Sequence, residues 1–204
     1  MDQNKPNRVS KLGMIVTMLL IASFFILGPI CVLTDFDENL YKSIGFATNG
    51  VVGEKPMRYS DNLIKEYNTL LEELDKTLQF SEDTPNGKRV LGTTDSTGKK
   101  VIFTFGELRV ASKTLLEDAT YFNEKLNSDG WGLSKADAEK LAVIHGEYML
   151  AVSELHDAID DLENGYGKYD TLMASSKNYM SAWEVKLNNS GVEYPKSADV
   201  DLTR

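Results

Sequence analysis

"SKADAEKLAVIHGEYMLAVSELHDAIDDLENG", residues 134–165, decides the fold class. Its apolar residues fall at Leu141, Ile144, Tyr148, Ala151, Leu155, Ala158 and Leu162. That 3–4 rhythm lays one stripe along a single face of an α-helix. Ser134 with Asp137 three residues on resembles a capping box, with Asp in place of the usual Glu or Gln. Asn164-Gly165 stops the helix. A stripe of this kind has to be buried against other helices, and the chain supplies three more.

The first, "RYSDNLIKEYNTLLEELDKTLQF" (residues 58–80), has Ser60 or Asp61 as candidate N-cap and apolar positions at Leu63, Tyr67, Leu70, Leu74 and Leu78. The second places Leu108, Ala111, Leu115, Ala119, Phe122 and Leu126 on one face. The fourth carries Tyr169, Leu172, Met173, Ser176, Met180, Trp183 and Leu187, and ends at Asn189-Ser190-Gly191. Short breaks separate three of the four, so the spacing predicts an antiparallel four-helix bundle over residues 58–190.

The long break is "NGKRVLGTTDSTGKKVIFTF", residues 86–105, rich in Val, Ile, Phe and Thr. Turn chemistry at Thr94-Asp95-Ser96-Thr97-Gly98 predicts a β-hairpin over 88–104, pairing Lys88–Leu91 with Lys99–Thr104. Such a hairpin is marginal in water alone and has to lean on the bundle. The last segment, "GVEYPKSADVDLTR" (residues 191–204), reads as a loose, proline-interrupted tail.

Ahead of the bundle stands "KLGMIVTMLLIASFFILGPICVLTDFDE", residues 11–38. Leu12 to Leu33 would span about 33 Å as a helix, against a hydrocarbon core of about 30 Å. The apolar core of a cleaved signal is shorter and is followed by an Ala-x-Ala-like site, which is missing here. Residues 12–34 therefore read as a retained transmembrane anchor. Lys5, Arg8 and Lys11 precede it, whereas Asp35, Asp37 and Glu38 follow. Basic residues flanking a span stay on the cytoplasmic side. The reading is a single-pass protein of the inner or plasma membrane, with residues 1–11 cytoplasmic and the rest periplasmic or extracellular. Residues 35–57, broken by three glycines and Pro56, form a linker or stalk.

Three of the 22 Lys and Arg residues, and one of the 31 Asp and Glu, lie in residues 1–34. Residues 35–204 thus carry a formal charge of −11. A surface this acidic argues against nucleic acid and against lying on anionic lipid. The single cysteine, Cys31, leaves no disulfide for the exported domain.

Chemical motifs are sparse. His145 and His156 share a face of the third helix about 16 Å apart, too far for one metal ion. His156 with Asp160 offers two ligands where zinc needs at least three. Both histidines read as solvated or half-buried, and no metal or cofactor is expected. "LNSDGWGLSKADA" matches part of a calcium loop but has Ala136 where the bidentate Glu belongs, and "DFDENL" lacks the glycine. Asp157, Asp160, Asp161 and Glu163 gather late in the third helix, against its dipole, and read as a solvated acidic face. Asn188-Asn189-Ser190 is a sequon that matters only in a eukaryotic host.

No constellation of catalytic residues emerges, so the expected function is a membrane-anchored helical-bundle module of the cell envelope, not an enzyme. Its partner would be another envelope protein or a second copy of itself. The alternatives are a sensor-like four-helix ligand-binding domain, which would need a partner to signal, and an enzyme with an unrecognised site. In an up-down-up-down bundle the hairpin and the "NGYGKY" loop (residues 164–169) share one end, which makes Val101, Ile102, Phe103, Tyr166 and Tyr169 the candidate partner-binding residues. The "SDGWGLS" turn and Trp183 would share the other, where Trp183 serves as packing or as an interfacial contact.

Overall fold

A computed structural model of the protein describes residues 58–202. The expected cytoplasmic tail, anchor and stalk, residues 1–57, lie outside the described residues. Among the described residues no helix is long and apolar enough to cross a membrane.

The fold is mainly helical: α1 Tyr59–Gln79, then a hairpin of β1 Ser81–Thr84 and β2 Gly87–Val90, then α2 Phe105–Ser128, α3 Lys135–Asn164 and α4 Tyr169–Ser190. Short 3-10 turns stand at Gly130–Gly132 and Ser197–Asp199. Each expected stripe faces inward. Leu63, Tyr67, Leu70 and Leu74 of α1 are buried, as are all six stripe residues of α2 and all seven of α3. In α4 the buried residues are Met173, Ser176, Met180 and Trp183, while Tyr169, Leu172 and Leu187 of its expected stripe are only half-buried. Leu78 is only half-buried. Thr77 takes the inner place, with its hydroxyl oxygen 2.9 Å from both the Glu73 and the Phe103 carbonyl oxygens, which share its one proton.

Hydrogen-bonded pairs give the helix directions. Arg109–Asp160 and Ala119–His145 join α2 to α3, and Glu147–Lys186 and Asp161–Tyr169 join α3 to α4. In each case one number rises while the other falls, so the helices run antiparallel. Tyr59 against Phe122 and Thr77 against Phe103 do the same for α1 and α2.

Caps define the helix starts. Thr104 and Glu107 form a reciprocal capping box: the Glu107 N–H donates to Thr104 Oγ1 at 3.2 Å and the Thr104 N–H to Glu107 Oε2 at 2.8 Å. Ser134 Oγ accepts from the Asp137 N–H at 3.2 Å, as its sequence implies. The start of α1 differs from expectation. Arg58 is the N-cap, and Asp61, at the third helical position, accepts the Arg58 N–H at 3.3 Å. Ser60 lies inside the first turn and is buried.

The hairpin also differs. Lys88–Leu91 does not pair with Lys99–Thr104. Instead Gly87–Val90 folds back on Ser81–Thr84, in the register Ser81↔Val90, Glu82↔Arg89, Asp83↔Lys88 and Thr84↔Gly87. Pro85 presets the backbone of the two-residue turn, and Gly87 adopts a φ of 119° that a side chain would resist. Cross-strand ion pairs, Lys88–Asp83 at 2.5 Å and Arg89–Glu82, fix the register. The Asp95 turn exists as well: its carboxylate accepts from the Thr97 N–H at 2.8 Å and the Lys99 N–H at 3.1 Å. It closes a single bridge, Thr94↔Lys100, because the chain must soon cap α2 at Thr104.

Residues 191–202 are not loose. Val192 and Tyr194 are buried, and the segment crosses the start of α1 as a strap. The cause is aromatic: Tyr194 fills the space between Phe122, His145 and Trp183.

Candidate functional site

The hairpin and the loop after α3 share one end of the bundle and touch. A Cβ on Gly87 would lie 2.4 Å from the Glu163 carbonyl oxygen, and one on Gly165 would lie 2.7 Å from the Gly87 nitrogen. The turn of the hairpin is therefore packed backbone to backbone on the C-terminus of α3. Gly165 is the left-handed cap of that helix, with φ 71°.

The candidate docking residues divide at this end. Val101 and Tyr166 are exposed, at 48% and 66%. Phe80 and Leu91, which were not among those candidates, are joined by the hydrogen bond from the Leu91 N–H to the Phe80 carbonyl and are exposed at 52% and 63%. Phe103 is half-buried with Lys100 Nζ 5.5 Å from its ring centre. Tyr169 is half-buried at the first turn of α4. Ile102 is buried and anchors the loop. Phe105 also points inward while Val101 points outward, since Phe105 already begins α2.

The acidic run of α3 has structural work at the same end. Asp161 is buried, and its carboxylate accepts from the backbone N–H groups of Lys168 at 3.0 Å and Tyr169 at 2.9 Å. One helix thus supplies the missing N-terminal cap of the next. Asp160 pairs with Arg109 at 2.7 Å, and Glu163 lies 3.5 Å from the same guanidinium. The face read as solvated is in large part paired or buried; Asp157 stays exposed.

At the opposite end the chemistry is interior. His145 is fully buried, contrary to expectation, whereas His156 is half-buried with Nδ1 3.0 Å from Ser112 Oγ. His145 lies within hydrogen-bond reach of the Ala119 carbonyl through Nε2 and of the Tyr194 hydroxyl through Nδ1, both at 2.9 Å. A carbonyl only accepts, so Nε2 carries the proton and Nδ1 accepts from Tyr194. The Trp183 indole N–H donates to the same hydroxyl at 2.9 Å. Burial pushes His145 down to about 4, against the upward pull of the Ala119 carbonyl, and pushes the Tyr194 phenol up. Trp183 is fully buried and acts as packing. Above this network lies a cleft of about 390 Å³ whose walls include Arg58, Asp61, Trp183, Glu184, Glu193 and Tyr194. Arg58 and Glu193 form an ion pair of 2.6 Å on it.

Between α1 and α2, half-buried Glu66 is pushed up to about 8, chiefly by burial and then by the charge of Asp118. No group of three or more metal-ligating side chains is present among the described residues.

Tyr194 and Glu66 carry the most distinctive chemistry, and sequence reasoning singled out neither. Glu66 lies beside Tyr67 in the α1 stripe, so a carboxylate next to the buried face was a visible signal. Tyr194 offered only an aromatic residue in a polar tail. No family model, no curated protein and no solved structure matches the chain.

Proposed function

We propose that the chain is a membrane-anchored interaction module, held by residues 12–34 on the outer face of the inner or plasma membrane, whose bundle engages a protein partner through its hairpin end. The observation that carries this reading is the gathering of Phe80, Leu91, Val101 and Tyr166, all substantially exposed, at one end of the bundle. Surface apolar residues scattered singly need no explanation, but a group of large ones is a common mark of an interaction surface. The hairpin itself is guarded against strand addition, because Glu82, Asp83, Lys88 and Arg89 line it with charge. Engagement is therefore by side chains. The membrane part of the proposal rests on the sequence of residues 1–38 alone.

The test compares the wild-type chain with a Leu91→Asp, Val101→Asp double variant, cross-linked in native membranes. Both substitutions sit on exposed residues, so the bundle should fold unchanged. Loss of a discrete cross-linked species in the variant supports the proposal, and an identical pattern from both proteins refutes it. The second reading, a ligand-binding domain, is favoured by the cleft beside the strap. It would show as ligand-dependent stabilisation that the hairpin-end variant leaves intact.

A further inference from the structure

The first turn of α1 is held by the far end of the chain. The Tyr59 N–H, one of the amides a helix start leaves without an internal partner, donates to the Pro195 carbonyl at 3.0 Å. Arg58 and Lys196 form an isolated antiparallel bridge, and Asn62 Nδ2 donates to Ser197 Oγ at 2.9 Å. The Arg58–Glu193 ion pair completes the crossing. The strap is itself seated by Tyr194, which is 4% exposed, stacks on Phe122 and bonds to both His145 and Trp183.

α1 needs this support. Its backbone approaches α2 far less extensively than α2 approaches α3 or α3 approaches α4. Long side chains tie it to the other two helices instead: Tyr148 of α3 donates to the Leu63 carbonyl at 3.2 Å, and Tyr67 shares a hydrogen bond of 2.7 Å with Ser176 of α4. An element joined by few close backbone contacts opens below the global unfolding free energy. We propose that the strap, residues 192–199, is a clasp that decides whether α1 stays docked, so that the helix joining residues 1–57 to the bundle is released when the strap is lost while α2, α3 and α4 remain folded. Release bares a groove one amphipathic helix wide, whose occupant in the clasped state is α1. The clasp stands independently of the docking reading, because it lies at the other end of the bundle.

Hydrogen exchange read by mass spectrometry on the full-length chain in detergent tests it. Three variants are compared with wild type: a stop after Gly191, Tyr194→Phe, and Asn62→Cys with Ser197→Cys joined by a short bis-maleimide in a Cys31→Ser background. Truncation should speed exchange of the α1 amides by about 100-fold and Tyr194→Phe by about tenfold, while the centre of α3 keeps its protection. The cross-link should slow α1 alone by about tenfold. Uniform acceleration of all four helices in Tyr194→Phe would show one cooperative unit and overturn the clasp. If the truncated chain fails to fold, the cross-link decides: α1 exchange unchanged by it overturns the proposal.

Discussion

Tyr194 donates its hydroxyl proton to Nδ1 of His145 across 2.9 Å, between residues 49 positions apart in the chain. The bond requires neutral imidazole, and burial keeps it neutral down to about pH 4. Between about 4 and 6.5 the unfolded chain binds a proton that the folded chain refuses, so this contribution falls as pH falls through that window, by roughly 3 kcal/mol in all. Glu66 acts in the opposite sense. Its folded value of about 8 means the native state holds a proton that the unfolded chain has already released above about 4.5, so its contribution fades as pH rises towards 8. The two offset each other between about 4.5 and 6.5. Thermal melts should peak in that interval, and Glu66→Gln should flatten the decline from 6.5 to 8. The same slope in both proteins would remove Glu66 from the account.

Gly165→Ala should destabilise by about 1–3 kcal/mol, because the position has a left-handed backbone and the new carbon would meet the Gly87 nitrogen. Gly167→Ala is the matched control, also left-handed with φ 77° but with nothing within 4 Å. Urea denaturation giving equal midpoints for the two would mean that the hairpin does not pack on α3.

Leu155→Ala should cost about 2–5 kcal/mol, since Leu155 is fully buried in the middle of the α3 stripe. A shift below about 1 kcal/mol in chemical denaturation would place that stripe outside a core.

The helices were legible because each carries its own local instruction: the stripe of α3, the Ser134 cap and the Asn164-Gly165 stop lie within one stretch of chain. The shared end of hairpin and "NGYGKY" loop followed from counting helix directions. The hairpin register was harder, since Pro85-Asn86-Gly87 and Asp95–Gly98 both encode turns, and the charged pairs Glu82–Arg89 and Asp83–Lys88 that separate them became visible only once partners were known. The strap was not legible at all. Its bonds join Tyr59 to Pro195 and Asn62 to Ser197, and no periodicity within residues 191–204 announces such distant contacts.

The mature protein should keep residues 1–34 and resist alkaline extraction, with protease reaching residues 58–204 only from the non-cytoplasmic side. Mass spectrometry finding a new N-terminus between Ile30 and Phe46 would contradict a retained anchor.

The most direct measurement places a photoreactive amino acid at Leu91 in the full-length chain in its native membrane, with Val143 as the control. Val143 is 74% exposed and lies near the start of α3, at the other end of the bundle. Irradiation should give a discrete adduct from position 91 and none from position 143. No adduct at 91, or the same set from both positions, would contradict engagement through the hairpin end.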